Sequence, residues 1–315
     1  MNKYTVDESQ AGKRLDVYLT ETLDSLTRGA VKRAIKSELV TINGKPAKPH
    51  TALRADDEIE LLTEIEPTPE RAAEPEAQGI PLKIVHEDND LLVIEKPTGM
   101  LVHPTVRNER DTLVAALLHH APEISGVGDG PERPGIMQRL DKDASGLMVI
   151  AKNEAAYAQL KHQFMAHTIE KRYLILTDGR PPEDEGTIEM AIGRASDNRR
   201  MAARKEPLEG DRPAISHYTV ARHLRASATL IEVRTETGRT HQIRAHFKAI
   251  GCPVAGDKLY GRRLNRLNAP RLFLHAAKLG FTHPTTGKRL EFESPLPPDL
   301  AETIERLAFT AQNED

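Results

Sequence analysis

Residues 135–152 read Gly-Ile-Met-Gln-Arg-Leu-Asp-Lys-Asp-Ala-Ser-Gly-Leu-Met-Val-Ile-Ala-Lys. Gly146 to Ala151 is an apolar run of strand length, which predicts a buried strand. The polar loop just ahead of it holds Arg139, Asp141, Lys142, Asp143 and Ser145. A charged loop feeding a buried strand is where a rigid scaffold can hold a catalytic group. Asp141 is the candidate. Leu140 and Leu147 flank its loop, and a carboxylate beside the cations Arg139 and Lys142 stays ionised. An ionised carboxylate can act as nucleophile or base. Taken alone, the string reads better as a solvated turn in which Asp141 and Asp143 pair with Arg139 and Lys142.

Upstream, Leu82–Glu87 and Leu91–Lys96 are apolar runs around the turn Asp88-Asn89-Asp90, a strand pair. The second run ends in a loop forced by Pro97 and Gly99 that reaches His103-Pro104. Thr112–His120 reads as a helix, and residues 121–134 as a Gly/Pro-rich loop. Adjacent His119 and His120 point to different helix faces, which argues against a shared metal. Downstream, Asn153 suits the N-cap of a helix reaching Ala166, with Tyr157, Leu160 and Phe164 on its apolar face. Thr168–Leu176 is a strand, with Tyr173 beside two cations. Residues 193–213 carry Arg194, Arg199, Arg200, Arg204 and Lys205 among small residues and read as a basic, flexible segment. Ile215–Val220 and Thr229–Thr235 read as sheet strands.

A third informative stretch is Thr235-Glu-Thr-Gly-Arg-Thr-His-Gln-Ile-Arg-Ala-His-Phe247. Gly238 permits a tight turn, and Thr240 can cap a helix running to Ile250. Arg244 then sits near a helix start. His241 and His246, five apart, share no face, so a two-histidine metal site is not expected. After Arg271–Ala276, a strand at Leu279–Phe281 and a helix at Asp299–Phe309 close the chain.

The first sixty residues have a different character. Leu15, Leu19 and Leu23 recur at helical spacing in a helix spanning Gly12–Leu23. Thr27 is a candidate N-cap for a second helix, Arg28–Glu38. Arg28, Lys32 and Lys36 line one stripe of it, with Arg33 beside them. Val40-Thr41-Ile42, the Asn43-Gly44 turn and Lys45 form a hairpin, and Glu58–Leu62 a further strand. Most charge stripes are only solvated helix faces. Here the stripe and the turn lysines fall in one compact unit, which can sit on phosphates. Residues 63–79, rich in Pro and Glu, read as an acidic linker. The expected division is therefore 1–62, a linker 63–79 and 80–315.

Composition narrows the function classes. Of 315 residues, 38% are hydrophobic and 29% charged, a globular balance with a net charge of −3. The whole molecule is not a basic nucleic-acid binder, so RNA affinity has to come from local patches. One cysteine, Cys252, forms no internal disulfide and suits a reducing cytosol. No apolar stretch approaches a membrane span. No Walker loop, dinucleotide glycine pattern or metal motif is present, so no cofactor and no metal is expected.

Residues 12–62 resemble the small alpha-L (S4-like) RNA-binding module, on Arg14-Leu15-Asp16, Leu19, the Arg28–Lys36 helix and Val40–Lys45. Residues 91–104, 135–152, 168–174, 235–246 and 271–296 resemble, in order, the bacterial RluA-type pseudouridine synthases. The resemblance implies an α+β fold: a mixed, mainly antiparallel sheet with flanking helices and a cleft across it, plus the small module. It implies Asp141 as the essential aspartate. Tyr173 would pack on the base and assist proton removal from carbon 5, and Arg244 would pair with the aspartate. It implies that Arg139 fills the space left by a flipped uridine, and that Arg239, Gln138 and His103 contact substrate. Arg28, Lys32, Arg33, Lys36 and Lys45 would bind RNA. Two positions depart from the family pattern: Gln138 replaces a histidine, and Ala144 replaces a threonine whose hydroxyl would support the loop. The implied activity is isomerisation of uridine to pseudouridine without a cofactor, in large-subunit ribosomal RNA or, alternatively, transfer RNA, by a cytoplasmic monomer. Two rival readings are a non-catalytic ribosome-assembly protein that keeps the fold and a glycosidase, which would need a second acid facing Asp141.

Overall fold

The computed structural model describes residues 2–23, 26, 28–63, 75–105, 109–130, 133–197 and 200–309; the side chains of Arg28, Arg33 and Phe309 lie outside that description. The chain divides into two compact units, Met1–Ala73 and Glu74–Asp315.

In the first unit, β1 (Asn2–Thr5) is followed by α1 (Leu15–Thr22) and α2 (Arg28–Lys36), then β2 (Val40–Ile42), β3 (Lys45–Pro46) and β4 (Glu58–Leu61). The strands pair antiparallel in the order β1-β4-β2-β3. Leu15 and Leu19 from α1 and Val31, Ala34 and Ile35 from α2 are buried, the spacing of one helical face. They pack with Val40, Leu53, Ile59 and Leu61 of the sheet side. The first helix starts at Leu15, not at Gly12, because Gly12 has φ of 85° and Arg14 bridges to Ala52. The expected cap, Thr27, lies outside the described residues. Asn43 and Gly44 both have positive φ, as a two-residue hairpin turn needs. Asn43 also accepts from Glu58 N at 2.9 Å and donates to Asp57 at 2.8 Å, tying the hairpin to β4.

The second unit begins with β5 (Lys83–Glu87), β6 (Leu91–Lys96), α3 (Leu113–His120), β7 (Ser145–Ala151), α4 (Glu154–Met165) and β8 (Glu170–Asp178). It continues through β9 (Glu185–Glu189), β10 (Ala191–Arg194), β11 (Met201–Arg204), β12 (Ile215–His223) and β13 (Ala228–Thr235). It ends with α5 (Gln242–Ala249), β14 (Leu274–Thr282), β15 (Arg289–Glu293) and α6 (Pro298–Phe309). Nine strands form one sheet in the order β5-β6-β7-β14-β8-β13-β12-β9, with β15 on the far half of β14. Every pairing is antiparallel except β7 with β14, so the fold is the expected mixed, mainly antiparallel α+β type.

β7 is buried at all seven positions, which explains its unbroken apolar run. Met148 and Ile150 face a core shared with α3, α5 and α6. Leu147, Val149 and Ala151 face a second core shared with α4 and Phe281. Covering both faces leaves the ends of the strands as the place for a site.

Three expectations need correction. Residues 193–213 are not a flexible loop: β10 and β11 pair over four residues, and Arg204 grips Asp211 at 2.9 Å. A β-carbon on Gly193 would collide with Asp211, so that glycine admits the bridge. The strand expected at Leu279–Phe281 is the far end of the nine-residue β14. Thr240 does not cap α5; His241 does, at a left-handed φ of 56° and without a side-chain cap bond.

Candidate active site

A cleft of about 570 Å³ lies over the sheet beside the start of β7. His103, Gln138, Arg139, Asp141, Tyr173, Arg239 and Arg244, distant in sequence, all line it. Its volume suits one ligand-sized group with bulk contact on most sides.

The Asp141 loop is held from behind. Ala144 N donates to Asp141 O at 3.1 Å and closes a turn. Lys96, fully buried at the end of β6, donates its ammonium to Pro97 O, Met100 O and Lys142 O at 2.7, 2.9 and 3.2 Å. It thereby knits the 97–100 loop to the aspartate loop, joined by Gly99 N to Lys142 O at 2.8 Å and Thr98 Oγ1 to Asp143 O at 2.9 Å. Burial lowers the Lys96 pKa to about 8, opposed by the charges of Asp141 and Asp143. Ala144 is fully buried against apolar neighbours, so the turn is held by Lys96, Thr98 and main chain, with no hydroxyl at that position. Behind the loop, Gly146 has φ of 117° and a β-carbon there would meet Ala276 backbone at 2.3 Å. Only glycine lets β7 and β14 meet in parallel. Ser145 Oγ and His275 Nδ1, 3.0 Å apart, and His275 Nε2 with Ser294 seal that join.

Arg244, on the first turn of α5, is the electrostatic centre. Nη1 donates to Asp141 Oδ2 at 2.8 Å, while Nε and Nη2 donate to Asp257 at 2.7 and 2.9 Å. Its guanidinium lies 4.9 Å from the Tyr260 ring centroid. Burial acts to lower its pKa, but the two carboxylates more than reverse that and the guanidinium stays charged. The Asp257 side chain is completely buried, and its Oδ1 also accepts from Leu259 N and Tyr260 N. Burial raises the Asp257 pKa, and Arg244 together with those amides brings it below the ordinary value. Asp141 Oδ1 lies 3.9 Å from His241 Nε2. His241 Nδ1 meets the Tyr260 hydroxyl at 2.9 Å. Burial is the main cause that lowers the His241 pKa, which favours the neutral ring. The result is an oriented carboxylate with one oxygen fixed by an arginine and the other open to the cleft.

Tyr173 stands in mid-β8. Burial raises its phenol to about 12, partly offset by a hydrogen bond with Thr235, so it is a neutral ring at the cleft floor. The Thr237–Gln242 segment forms the opposite wall. Gln242 Oε1 accepts from Thr237 Oγ1 at 2.7 Å and from Arg239 N at 3.0 Å. Arg239 Nε donates to Pro213 O at 3.1 Å. Arg139 is exposed at the rim. The Gln138 amide nitrogen is buried and has no hydrogen-bond partner.

The family description "RNA pseudouridylate synthase" matches residues 90–249, and "S4 domain" matches residues 13–59. The chain belongs to the RNA pseudouridylate synthase family. It is 40% identical to the uncharacterized RNA pseudouridine synthase YlyB of Bacillus subtilis, over 96% of this chain and 97% of the relative. It is 41% identical to the ribosomal large subunit pseudouridine synthase D of Zymomonas mobilis, over 98% of each. Among solved structures, the human RNA pseudouridylate synthase domain containing 1 superposes with a TM-score of 0.56 at 29% identity, covering 75% of this chain and 90% of that one. The protein is thus an isomerase of the pseudouridine synthase type, and its S4 domain makes structured RNA its partner. No helix among the described residues is long and apolar enough to cross a membrane.

Within this synthase, reading the sequence overlooked Lys96, His241, Asp257 and Tyr260. Asp257 had one visible signal, a tight turn bracketed by Gly256 and Gly261. The acid a glycosidase needs is not Asp257, whose oxygens are saturated by Arg244 and two amides. Asp143 is exposed, on the solvent side of the loop. A second cluster, Asp88, Asp90 and His283, has ligand-type atoms within 4.8 Å of one another. There Asp88 caps the turn amides of Asp90 and Leu91, and His283 Nδ1 accepts from Thr285 N and Thr286 N. Those bonds leave the His283 proton on Nε2, facing Asp88 Oδ2 at 3.0 Å. The cluster is a lock between two turns.

In the N-terminal unit Lys36 and Lys45 are exposed, and Lys32 lies 3.4 Å from the buried Asp16. Lys32 therefore supports the fold as well as any phosphate. The side chains of Arg28 and Arg33 lie outside the described residues.

Proposed function

We propose that this synthase converts uridine to pseudouridine in large-subunit ribosomal RNA, with Asp141 as nucleophile and the target base flipped out of its stack. The observation that carries this reading is the asymmetric environment of Asp141. One oxygen is held by Arg244 at 2.8 Å and the other faces a cleft floored by Tyr173. A base inside a helix cannot reach such a recess, so it has to leave the stack. Asp141 attacks the nucleoside, at the anomeric carbon or at carbon 6 of the base. The glycosidic N1–C1′ bond breaks, the uracil turns over Tyr173 and rejoins the sugar through carbon 5, the bond to Asp141 breaks, and carbon 5 loses its proton. Arg244 keeps the carboxylate aimed throughout, and Arg139 at the rim occupies the gap left by the flipped base. The orphan amide of Gln138, His103 and Arg239 contact the nucleotide. Uridine and pseudouridine are isomers, so the conversion involves no net oxidation or reduction.

Ribosomal RNA is favoured by the full-length similarity to proteins named for the large subunit. In this reading the cations Arg28, Lys32, Arg33, Lys36 and Lys45 of the N-terminal unit grip phosphates, residues 63–79 link it to the catalytic unit, and the enzyme works as a cytoplasmic monomer. The test is tritium release from 5-tritiated uridine in ribosomal and transfer RNA transcripts and in ribosomal subunits. Release from large-subunit RNA supports the assignment. Release from transfer RNA alone replaces the substrate, and binding without release from any of them favours an assembly role.

A further inference from the structure

One cation in the cleft has no part in the chemistry above. Side chains alternate along a strand, so Lys171 shares its β8 face with Tyr173 and also lines the cleft. Its neighbours Glu170 and Arg172 lie on the other face and pair with each other, with Glu232 and with Arg289. The Lys171 ammonium sits 5.7 Å from the Phe164 ring centroid. Among the described residues it has no hydrogen bond and no ion pair.

The carboxylates that line the cleft are all engaged elsewhere. Asp129 is bound by Lys161 at 2.5 Å, Asp141 by Arg244, and Glu236 by His217 at 2.7 Å. The other charged groups that line the cleft, Arg133, Arg139, Lys161, Arg239 and Arg244, are cations, and its histidines and tyrosines add no anion. Burial alone lowers the Lys171 pKa to about 8, with no carboxylate nearby to oppose it. A half-desolvated cation without a counterion is costly, and the cost is recovered when a ligand brings the anion. RNA offers one anion, the phosphodiester.

Resting on the pseudouridine synthase reading, we propose that Lys171 is a substrate-positioning residue that clamps a phosphodiester oxygen next to the flipped uridine. The strand spacing sets base and phosphate on one rigid ruler: Tyr173 under the ring, and Lys171 two residues away on the backbone of the RNA. Phe164 of α4 presents its ring to the ammonium at 5.7 Å, a contact that leaves the charge without an anion.

The test has two arms. In the first, tritium release from 5-tritiated large-subunit RNA is followed for wild type, Lys171→Met and Lys171→Arg, with thermal melts to show that each is folded. Lys171→Met is expected to lower kcat/KM by about tenfold to a hundredfold, the worth of one charge-assisted hydrogen bond, mainly through KM. Lys171→Arg is expected to recover to within about threefold of wild type, because a guanidinium also binds phosphate. A Met variant equal to wild type overturns the proposal. So does a folded Arg variant that binds RNA normally but has lost kcat, which would make the amine a proton acceptor. In the second arm, acetylation of Lys171 is read by peptide mass with and without uridine 5′-monophosphate, uridine and inorganic phosphate. Protection by the monophosphate but not by uridine supports the clamp, and equal labelling in all cases overturns it. The second arm needs no turnover, so failure of the wild type to release tritium would count against the enzymatic reading and leave the anion site to be judged by labelling.

Discussion

The N-terminal unit and the cleft each join carboxylates to cations, and they do it in opposite senses. In the N-terminal unit a single carboxylate, Asp16, is fully buried and gathers Arg14 at 3.0 Å and Lys32 at 3.4 Å, both cations about half in water. In the cleft a single buried cation, Arg244, is shared by two carboxylates, Asp257 sealed beneath it and Asp141 at the cleft wall. The buried partner fixes geometry, and the partner facing solvent keeps unused bonding capacity. That capacity is positive in the first unit, as the proposed phosphate contacts require. It is negative in the second, as the proposed nucleophile requires.

The contrast can be broken by mutation. The largest effect belongs to Asp141→Asn, which is expected to lower turnover by at least about a thousandfold with RNA affinity within about twofold of wild type. Tritium release and filter binding measure the two; affinity falling in step with turnover would show that the loop docks RNA instead of reacting. Asp257→Asn should act on stability, by about 3–5 kcal/mol, because it leaves Arg244 short of its buried partner. Denaturant unfolding of the catalytic unit reads this, and a shift no larger than that of Asp141→Asn would remove the distinction between the two acids. Asp16→Asn is expected to cost about 1–3 kcal/mol, with faster hydrogen exchange confined to α1, α2 and their sheet. Lys36→Gln should change neither fold nor chemistry and reduce the salt dependence of RNA binding by roughly 0.7–0.9 in log–log slope. Lys32→Gln should give less, since part of its charge already faces Asp16.

A smaller and graded effect comes from pH. Burial is the main cause that lowers the pKa values of His246 and His275, so both are neutral in the fold. In the unfolded chain they take up protons at the ordinary histidine value. The stability tied to their neutral forms is therefore present above about pH 6.5 and lost as pH falls through their lower folded values. Unfolding midpoints measured from pH 7 to pH 5 should fall, and His275→Asn should flatten that fall.

Local signals placed the elements that carry Asp141, Tyr173 and Arg244, an apolar run, a strand and a glycine turn, while the family resemblance singled out the side chains, which the structure brings to one cleft. The fold class came from the family resemblance, and the sheet order bears it out. What escaped depends on contacts between distant residues. Asp257 is an ordinary turn residue until α5 brings Arg244 over it. His241 combines a left-handed backbone with a ring that meets Tyr260, nineteen residues on, and no helix propensity carries that contact. The β10–β11 hairpin is short, small in side chain and basic, and its stabilising Asp211 follows the strands. Lys96 looks like the polar end of a strand; that its ammonium would be swallowed by three carbonyls is visible only once the two loops meet.

The parallel seam between β7 and β14 has a bearing on how the enzyme comes into being. Ser145 and His275, which face each other across it, are 130 residues apart in the chain. During synthesis the aspartate loop emerges long before the strand that braces it. Contacts of such long range form late, since the intervening chain has to be ordered first. Until β14 pairs with β7, the aspartate loop lacks the strand that backs it. The seam therefore sets a long-range closure that the rest of the catalytic unit has to be ordered around.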